Sequence, residues 1–425
     1  VNVGCVPSKT MIRAAEAIYG AGAARRFPGL SGSAQVDDWA VLVASKDALV
    51  SGLRQKKYAD LLPGYEGITY LDDGAATLVD GGVQVGSRLI RAPKFIVATG
   101  GRPALPSIPG IADVPTLDST SLLELEALPE SLTFLGGGYI GAELAQMMAR
   151  MGVKVTMVCR SRLLPQAEPE VSESLSEVFR DEGITLHCGV IYDTCRSDGG
   201  RAVLGIDAGG KRLELTADHL VVTAGRTPNT EGLGLEAMGI KTDKRGAIMV
   251  GDDMATTRAA VYAAGDVTDR DQFVYMAAYG AKLAARNAVL DGAERYNNAA
   301  MPWVVFTDPQ VAGVGLTEAQ AKAAGLEVKT STLTLDNVPR ALAARDTRGL
   351  IKLVADAKTD RLLGGVIVAS EGSDTVQTLA MALKFGMTTK SLGETIFPYL
   401  TTVEGLKLAA QTFDMDVAKL SCCAG

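Results

Sequence analysis

Apolar residues recur along this chain in two alternating rhythms, and that alternation predicts an α/β architecture. From Cys5 to about Gly20, Met11, Ile12, Ala15 and Ile18 fall at helical spacing, and Pro7 suits the first turn. A more polar helix is expected around Val41 to Leu62, carrying Arg54, Lys56, Lys57 and Tyr58. Short strands then run to Phe95-Ile96-Val97-Ala98-Thr99-Gly100, read as a buried strand ending in a small-residue turn. Pro103, Pro106 and Pro109 mark a connection to a new unit.

That unit reads as a βαβ. Leu132-Thr133-Phe134-Leu135 is a strand, Gly136-Gly137-Gly138-Tyr139-Ile140-Gly141 a turn, Ala142 to Arg150 a helix and Val153 to Val158 the next strand. It closes near Val221-Val222-Thr223-Ala224-Gly225-Arg226. Val261-Tyr262-Ala263-Ala264-Gly265-Asp266 is a second strand-to-turn edge, leading into an alanine-rich helix from about Val274 to Leu290. After Met301-Pro302 the nucleotide-type turns stop, and the chain to about Phe413 reads as a separate α+β domain.

A lone GxGxxG is weak evidence, but Gly136, Gly138 and Gly141 sit between a strand and a helix, as the dinucleotide fingerprint requires. Such glycines allow a tight turn and let the backbone approach a pyrophosphate, which the helix N-terminus stabilises. The second strand bears on the cofactor. An NAD site places Asp or Glu at its end, whereas here Cys159 is followed by Arg160 and Arg162. Two cations suit a 2′-phosphate, which favours NADPH over NADH. The plainer alternative is a solvated surface pair.

Composition narrows the class. A chain of 425 residues needs two to four cores. Its formal charge of −7 argues against nucleic acid as a partner, and no apolar run is long enough to span a bilayer. Six scattered cysteines do not make a disulfide scaffold, and the chain reads as cytoplasmic. Val1 opens directly into a motif, which reads as a fragment.

The thiols carry the sharper information. Cys5 precedes a helix start and lies near Lys9, and both features favour a thiolate; a buried structural cysteine is an equal alternative on local sequence. Cys422 and Cys423 are adjacent near the C-terminus, where neighbouring side chains rarely share a core pocket. Such a pair can offer two soft ligands to one soft metal ion. Cys159, Cys188 and Cys195 lack ligand spacing and read as structural, with Cys159 a candidate for exposure beside the NADPH phosphate.

The segment Val1-Asn2-Val3-Gly4-Cys5-Val6-Pro7-Ser8-Lys9 resembles the second half of the redox-disulfide motif of the flavin-dependent pyridine nucleotide–disulfide oxidoreductases. Ala98-Thr99-Gly100, the Gly136 to Gly141 turn, Ala224-Gly225-Arg226 and Ala264-Gly265-Asp266 follow in that family's order. The resemblance implies two Rossmann-like nucleotide-binding domains, the FAD domain incomplete, plus a C-terminal α+β dimerisation domain. Its boundaries would be 1–115 (FAD, partial), 116–235 (NADPH), 236–298 (return to the FAD domain) and 299–425 (dimerisation and tail). By it, Cys5 would lie next to the flavin ring, Lys9 near flavin N5 and Glu143 against Lys9. Tyr139 would cover the nicotinamide pocket, Asp266 would bind the ribityl chain, the Val274 backbone the ring, and Ala76 would approach the adenine. The first redox cysteine and the upstream glycine turn would precede Val1, so the sequence as given is expected to bind FAD weakly or not at all.

Members that reduce organic disulfides carry a C-terminal His-Pro segment followed by Glu. Here the segment reads Tyr399-Leu400-Thr401-Thr402-Val403-Glu404, and the only histidines are His187 and His219. A phenol is a poor proton shuttle at neutral pH. With Cys422-Cys423, Thr307-Asp308-Pro309-Gln310 and Leu335-Asp336-Asn337-Val338-Pro339-Arg340, this departure resembles the mercuric reductases. The resemblance implies NADPH- and FAD-dependent reduction of thiol-bound Hg(II) in a homodimer. Cys422 and Cys423 would pass the metal to Cys5, with Tyr58 and Tyr399 beside the inner position. On sequence alone those tyrosines read more simply as packed aromatics. The alternatives are a flavin disulfide reductase of dihydrolipoamide or glutathione type, and a non-catalytic soft-metal-binding chain.

Overall fold

The computed structural model describes residues 2–59, 61–290, 292 and 294–416; Cys422 and Cys423 lie outside the described residues. Two compact units are present. One contains Val1–Leu53, Pro106–Ala224 and the chain from Ala299 onward; the other contains Arg54–Leu105 and Gly225–Asn298.

The first unit is built around a five-stranded parallel sheet. Its strands lie in the order Thr116–Leu117, His219–Val222, Ser131–Leu135, Lys154–Cys159, Thr185–Cys188. Parallel neighbours require crossover connections, usually helical, and a strand covered on both faces is buried along its length. Accordingly all five residues of Ser131–Leu135 are buried. The crossover helix Tyr139–Arg150 is buried continuously from Gly141 to Met148, so it is covered on more than one side. One cover is the N-terminal helix Cys5–Ala23, whose Met11, Ile12 and Ala15 join Leu144, Met147 and Met148 in the same core. Each of these methionine, leucine and isoleucine side chains contributes roughly 1.5–3 kcal/mol by burial.

Beyond the parallel sheet, Ile191–Asp198, Arg201–Ala208 and Lys211–Ala217 form an antiparallel meander. The C-terminal part is a five-stranded antiparallel sheet in the order Pro302–Val305, Gln310–Gly315, Leu362–Ala369, Leu350–Asp356, Val328–Thr334. Helices Gly372–Lys384 and Glu404–Gln411 contribute Val376, Leu379, Leu406 and Ala409 to its core.

The second unit contains a three-stranded antiparallel sheet (Ala76–Val79, Gly82–Val85, Arg88–Ile90) and a parallel pair, Phe95–Val97 with Val261–Ala263. The strand at Phe95 is shorter than its apolar run predicts, and it is covered unevenly: Val97 is buried and Ile96 is exposed. The alanine-rich helix runs Val274–Leu290, as its pattern predicts. No described helix is long and apolar enough to cross a membrane.

Candidate functional site

The first helix begins at a thiol. Gly4 is its N-cap, no side chain caps it, and Cys5 stands at the first helical position with its thiol exposed. Pro7 has no N–H to satisfy and falls within the first turn. Lys9 follows Cys5 by four residues, one turn along the same face. Its Nζ lies 2.6 Å from Glu143 Oε2 and 4.8 Å from the centroid of the Phe306 ring. Glu143 Oε1 accepts the Phe306 N–H at 2.8 Å. Both oxygens of a carboxylate only 6% exposed are therefore occupied, which is what burying that charge requires. The outcome is an ammonium fixed one turn from a thiol at a helix N-terminus.

The nucleotide turn lies in the same unit. Gly136 has a left-handed backbone (φ 109°), and a methyl there would meet Thr223 O at 2.7 Å. A methyl on Gly141 would come within 2.5 Å of Gly136 O and 2.6 Å of Thr223 Oγ1. These two glycines are steric requirements of the turn. Gly138, the N-cap of the next helix, differs: a methyl there would meet nothing within 4 Å, and no side chain caps the helix. An open approach to an uncapped helix N-terminus fits a pyrophosphate. Tyr139, the next residue, stacks on Trp303 with centroids 5.4 Å apart and planes at 17°. Burial pushes its phenol up to about 12.

The end of the second strand corrects one expectation. Cys159 is not exposed beside a phosphate; it is buried at 2% exposure, because its side chain packs beneath the turn. A methyl on Gly137 would lie 2.6 Å from Cys159 Sγ. Cys188, its register partner on the next parallel strand, is exposed. The interaction between the two thiols pushes Cys159 up, with burial adding to it, and pulls Cys188 down. The charge of Arg180 and the Leu163 N–H also lower Cys188. The two arginines have different surroundings. Arg160 is exposed, while Arg162 donates to the carbonyls of Pro165 at 3.0 Å and Ala167 at 2.6 Å, closing its own loop.

In the C-terminal segment Tyr399 is exposed, and Leu400 adopts φ 58°, a conformation unfavourable for a branched side chain. Glu404 holds that turn. Its carboxylate is buried, and Oε2 accepts the Leu400 N–H at 3.0 Å from the first position of the Glu404–Gln411 helix. Thr401 Oγ1 donates to Pro398 O at 2.7 Å. His187 and His219 both lie on strands of the parallel nucleotide-turn sheet.

The second unit gathers its own group of expected residues. Thr99 Oγ1 donates to Asn229 O at 2.7 Å, and Asn229 returns Nδ2–H to Thr99 O at 3.0 Å. Gly100 and Gly265 both have positive φ, 70° and 77°. Arg226 Nε lies 3.3 Å from Asp266 Oδ2, yet it is buried without a hydrogen bond among the described residues. A buried, unbonded guanidinium N–H beside a carboxylate, flanked by these glycine turns, fits a polar cofactor segment such as that of FAD. Ala76 is exposed and begins a strand rather than ending one. Val274 opens its helix and is exposed, as is Tyr58 in the π-helical turn Gln55–Ala59 that continues the helix Trp39–Arg54.

Some of the arrangement has no local signal. Phe306 and Trp303, which complete the surroundings of Glu143 and Tyr139, lie more than 160 residues away from them. Cys188 is unremarkable until the strand register places it opposite Cys159.

The pyridine nucleotide-disulphide oxidoreductase family model matches residues 1–285, and the dimerisation domain of that family matches residues 301–410. The chain is 46% identical over its full length to the mercuric reductase of Streptomyces lividans, covering 90% of that protein. It is likewise 46% identical to the mercuric reductase of Bacillus cereus, covering 67%, and 45% identical to that of Staphylococcus aureus, covering 78%. Among solved structures, the Cu(II) complex of the HOCl-induced flavoprotein disulfide reductase RclA from Escherichia coli superposes with a TM-score of 0.84 at 28% identity. That match covers 97% of this chain and 90% of the other. LpdA from Mycobacterium tuberculosis gives a TM-score of 0.81 at 26% identity, with the same coverage. Matched along both family models and at about half identity along its whole length, the chain belongs to the pyridine nucleotide–disulphide oxidoreductases, in their mercuric reductase branch.

Proposed function

We propose that this chain catalyses the reduction of Hg(II) to elemental mercury by NADPH, with one NADPH oxidised to NADP⁺ and one proton released per metal ion. The observation that carries this choice over an organic disulfide is the Tyr399–Glu404 turn. A leaving dithiol needs a proton donor, and the position holds a phenol, while Glu404 is committed to the Leu400 backbone. Reducing a metal ion held by two thiolates needs no such donor.

FAD, when bound, supplies a two-electron carrier between nicotinamide and the thiol site. Ala76, Thr99, Gly100, Gly225, Arg226, Gly265, Asp266 and the Val274 backbone are the residues proposed to hold it. Gly136, Gly138 and Gly141 bind the NADPH pyrophosphate, Tyr139 covers the nicotinamide and Arg160 carries most of the contact with the 2′-phosphate. Arg162 shapes the loop that presents Arg160. Cys5 supplies a sulfur ligand to Hg(II), and Lys9, fixed by Glu143, stands one helix turn away. Cys422 and Cys423 collect the metal from small thiols and pass it on by exchange to a partner subunit. This delivery uses a homodimer in the cytoplasm, and neither nucleic acid nor a membrane takes part.

The reading is tested by offering the full-length protein NADPH with thiol-complexed Hg(II), and separately with lipoamide and glutathione disulfide. Oxidation that requires mercury and yields volatile metal is expected. Oxidation driven by a disulfide alone contradicts it.

A further inference from the structure

A second pair of thiols in this chain lies outside the proposed electron path. Cys159 and Cys188 end two neighbouring parallel strands and are register partners, so their side chains emerge from the same face of the sheet. Each shifts the titration of the other, Cys159 upward and Cys188 downward. One is buried and the other opens to solvent, which gives an entry route and an enclosed end. Neighbouring strands lie about 4.8 Å apart. A linear thiolate–metal–thiolate unit spans twice a metal–sulfur bond, about 2.3 Å each for zinc, and so matches that spacing. The charge of Arg180 and the Leu163 backbone lower the outer thiol, Cys188, and so favour negative charge on it.

We propose that Cys159 and Cys188 form a second, non-catalytic binding site for a soft two-coordinate cation such as Hg(II), and that its occupancy weakens NADPH binding. Loading is a ligand exchange without redox change. Mercury held by two small thiols transfers to the two protein sulfurs, and each protein thiol's proton leaves with a displaced small thiolate. The effect on NADPH follows from the packing. Cys159 Sγ sits beneath Gly137, between the two glycines that shape the pyrophosphate turn, with no room for even a methyl group between them. A metal ion bonded to Cys159 Sγ adds a large atom to a sulfur already packed against Gly137 without spare space, so loading displaces the turn.

The inference rests on the proposed reaction only for the identity of the metal, and its test does not require turnover. Full-length wild type, Cys188→Ser and Cys159→Ala proteins are incubated with Hg(II), washed with a competing small thiol, and assayed for bound mercury per chain and for NADPH affinity. Cys188 is exposed, so the serine variant keeps its fold; the alanine variant removes the buried ligand independently. Wild type is expected to retain one more mercury per chain than either variant, and to show several-fold weaker NADPH binding after loading, with no such change in Cys188→Ser. Equal mercury counts in wild type and Cys188→Ser overturn the site, and unchanged NADPH affinity on loading overturns its coupling to the turn. Failure of mercury reduction would leave both readouts intact.

Discussion

Lys9 Nζ on the N-terminal helix lies 2.6 Å from Glu143 Oε2 on the nucleotide-turn helix, and the second oxygen of that carboxylate accepts the Phe306 N–H. One buried group thus joins three segments distant in sequence. Lys9 retains about a third of its exposure, so the pair is worth less than a fully buried one. Glu143→Ala should lower stability by about 1–3 kcal/mol, below the ~3–5 kcal/mol of breaking an enclosed pair. Urea unfolding at neutral pH checks this, and an unchanged midpoint would show that solvent already screens the contact.

The glycines of the turn separate folding from binding. Gly136→Ala and Gly141→Ala force backbone and side-chain atoms together, so both should destabilise the protein as well as weaken NADPH. Gly138→Ala meets nothing, so its melting temperature should stay close to that of wild type while KM for NADPH rises about ten-fold or more. Equal KM values for Gly138→Ala and wild type would remove the pyrophosphate from this turn.

Arg160 and Arg162 should behave differently. Arg160→Gln is expected to raise KM for NADPH several-fold with little effect on NADH, as loss of a phosphate contact demands. Arg162→Gln abandons the Pro165 and Ala167 carbonyls and should mainly lower stability, by about 1–3 kcal/mol. Equal selectivity losses in the two variants would contradict this division.

Asp346 provides a pH signature. It accepts hydrogen bonds from Arg348 Nε at 2.7 Å and Nη2 at 2.8 Å, and Arg26 Nη1 is 2.7 Å away. Burial opposes its ionisation, but Arg348 and Arg26 prevail and hold the carboxyl down to about 2. Because the folded value is depressed, the contribution is present above the ordinary value of about 3.9 and is lost as pH falls towards 2. Asp346→Asn should therefore cost about 2–3 kcal/mol at pH 7, with roughly half of that difference gone at pH 3. A difference independent of pH would mean that the loss comes from packing.

Much of the fold can be read from local patterning, and much of the site cannot. The five-residue strand at Leu132, the glycine turn and the helix to Arg150 each obey a short-range rule, so period and turn chemistry locate them within a few residues. The Phe95 strand illustrates the limit. Its apolar run predicts burial, but coverage depends on what packs against each side, and Ile96 is left exposed. Cys159 is a stronger case. Its place at the strand end is legible, while its direction, inward beneath Gly137, depends on the strand's register with its neighbours. The opposition of Cys159 and Cys188 requires the same register. The contact between Lys9 and Glu143 spans 134 residues and has no periodic signal; only resemblance to a family suggests it.

The most direct test of the central claim is the stoichiometry of a limited reaction. Full-length protein under excess small thiol is given a measured amount of NADPH and excess Hg(II), and the volatile mercury released is weighed against NADPH consumed. One mercury atom per NADPH, with no consumption when mercury is withheld, is the predicted result. NADPH consumed without release of elemental mercury would contradict the account.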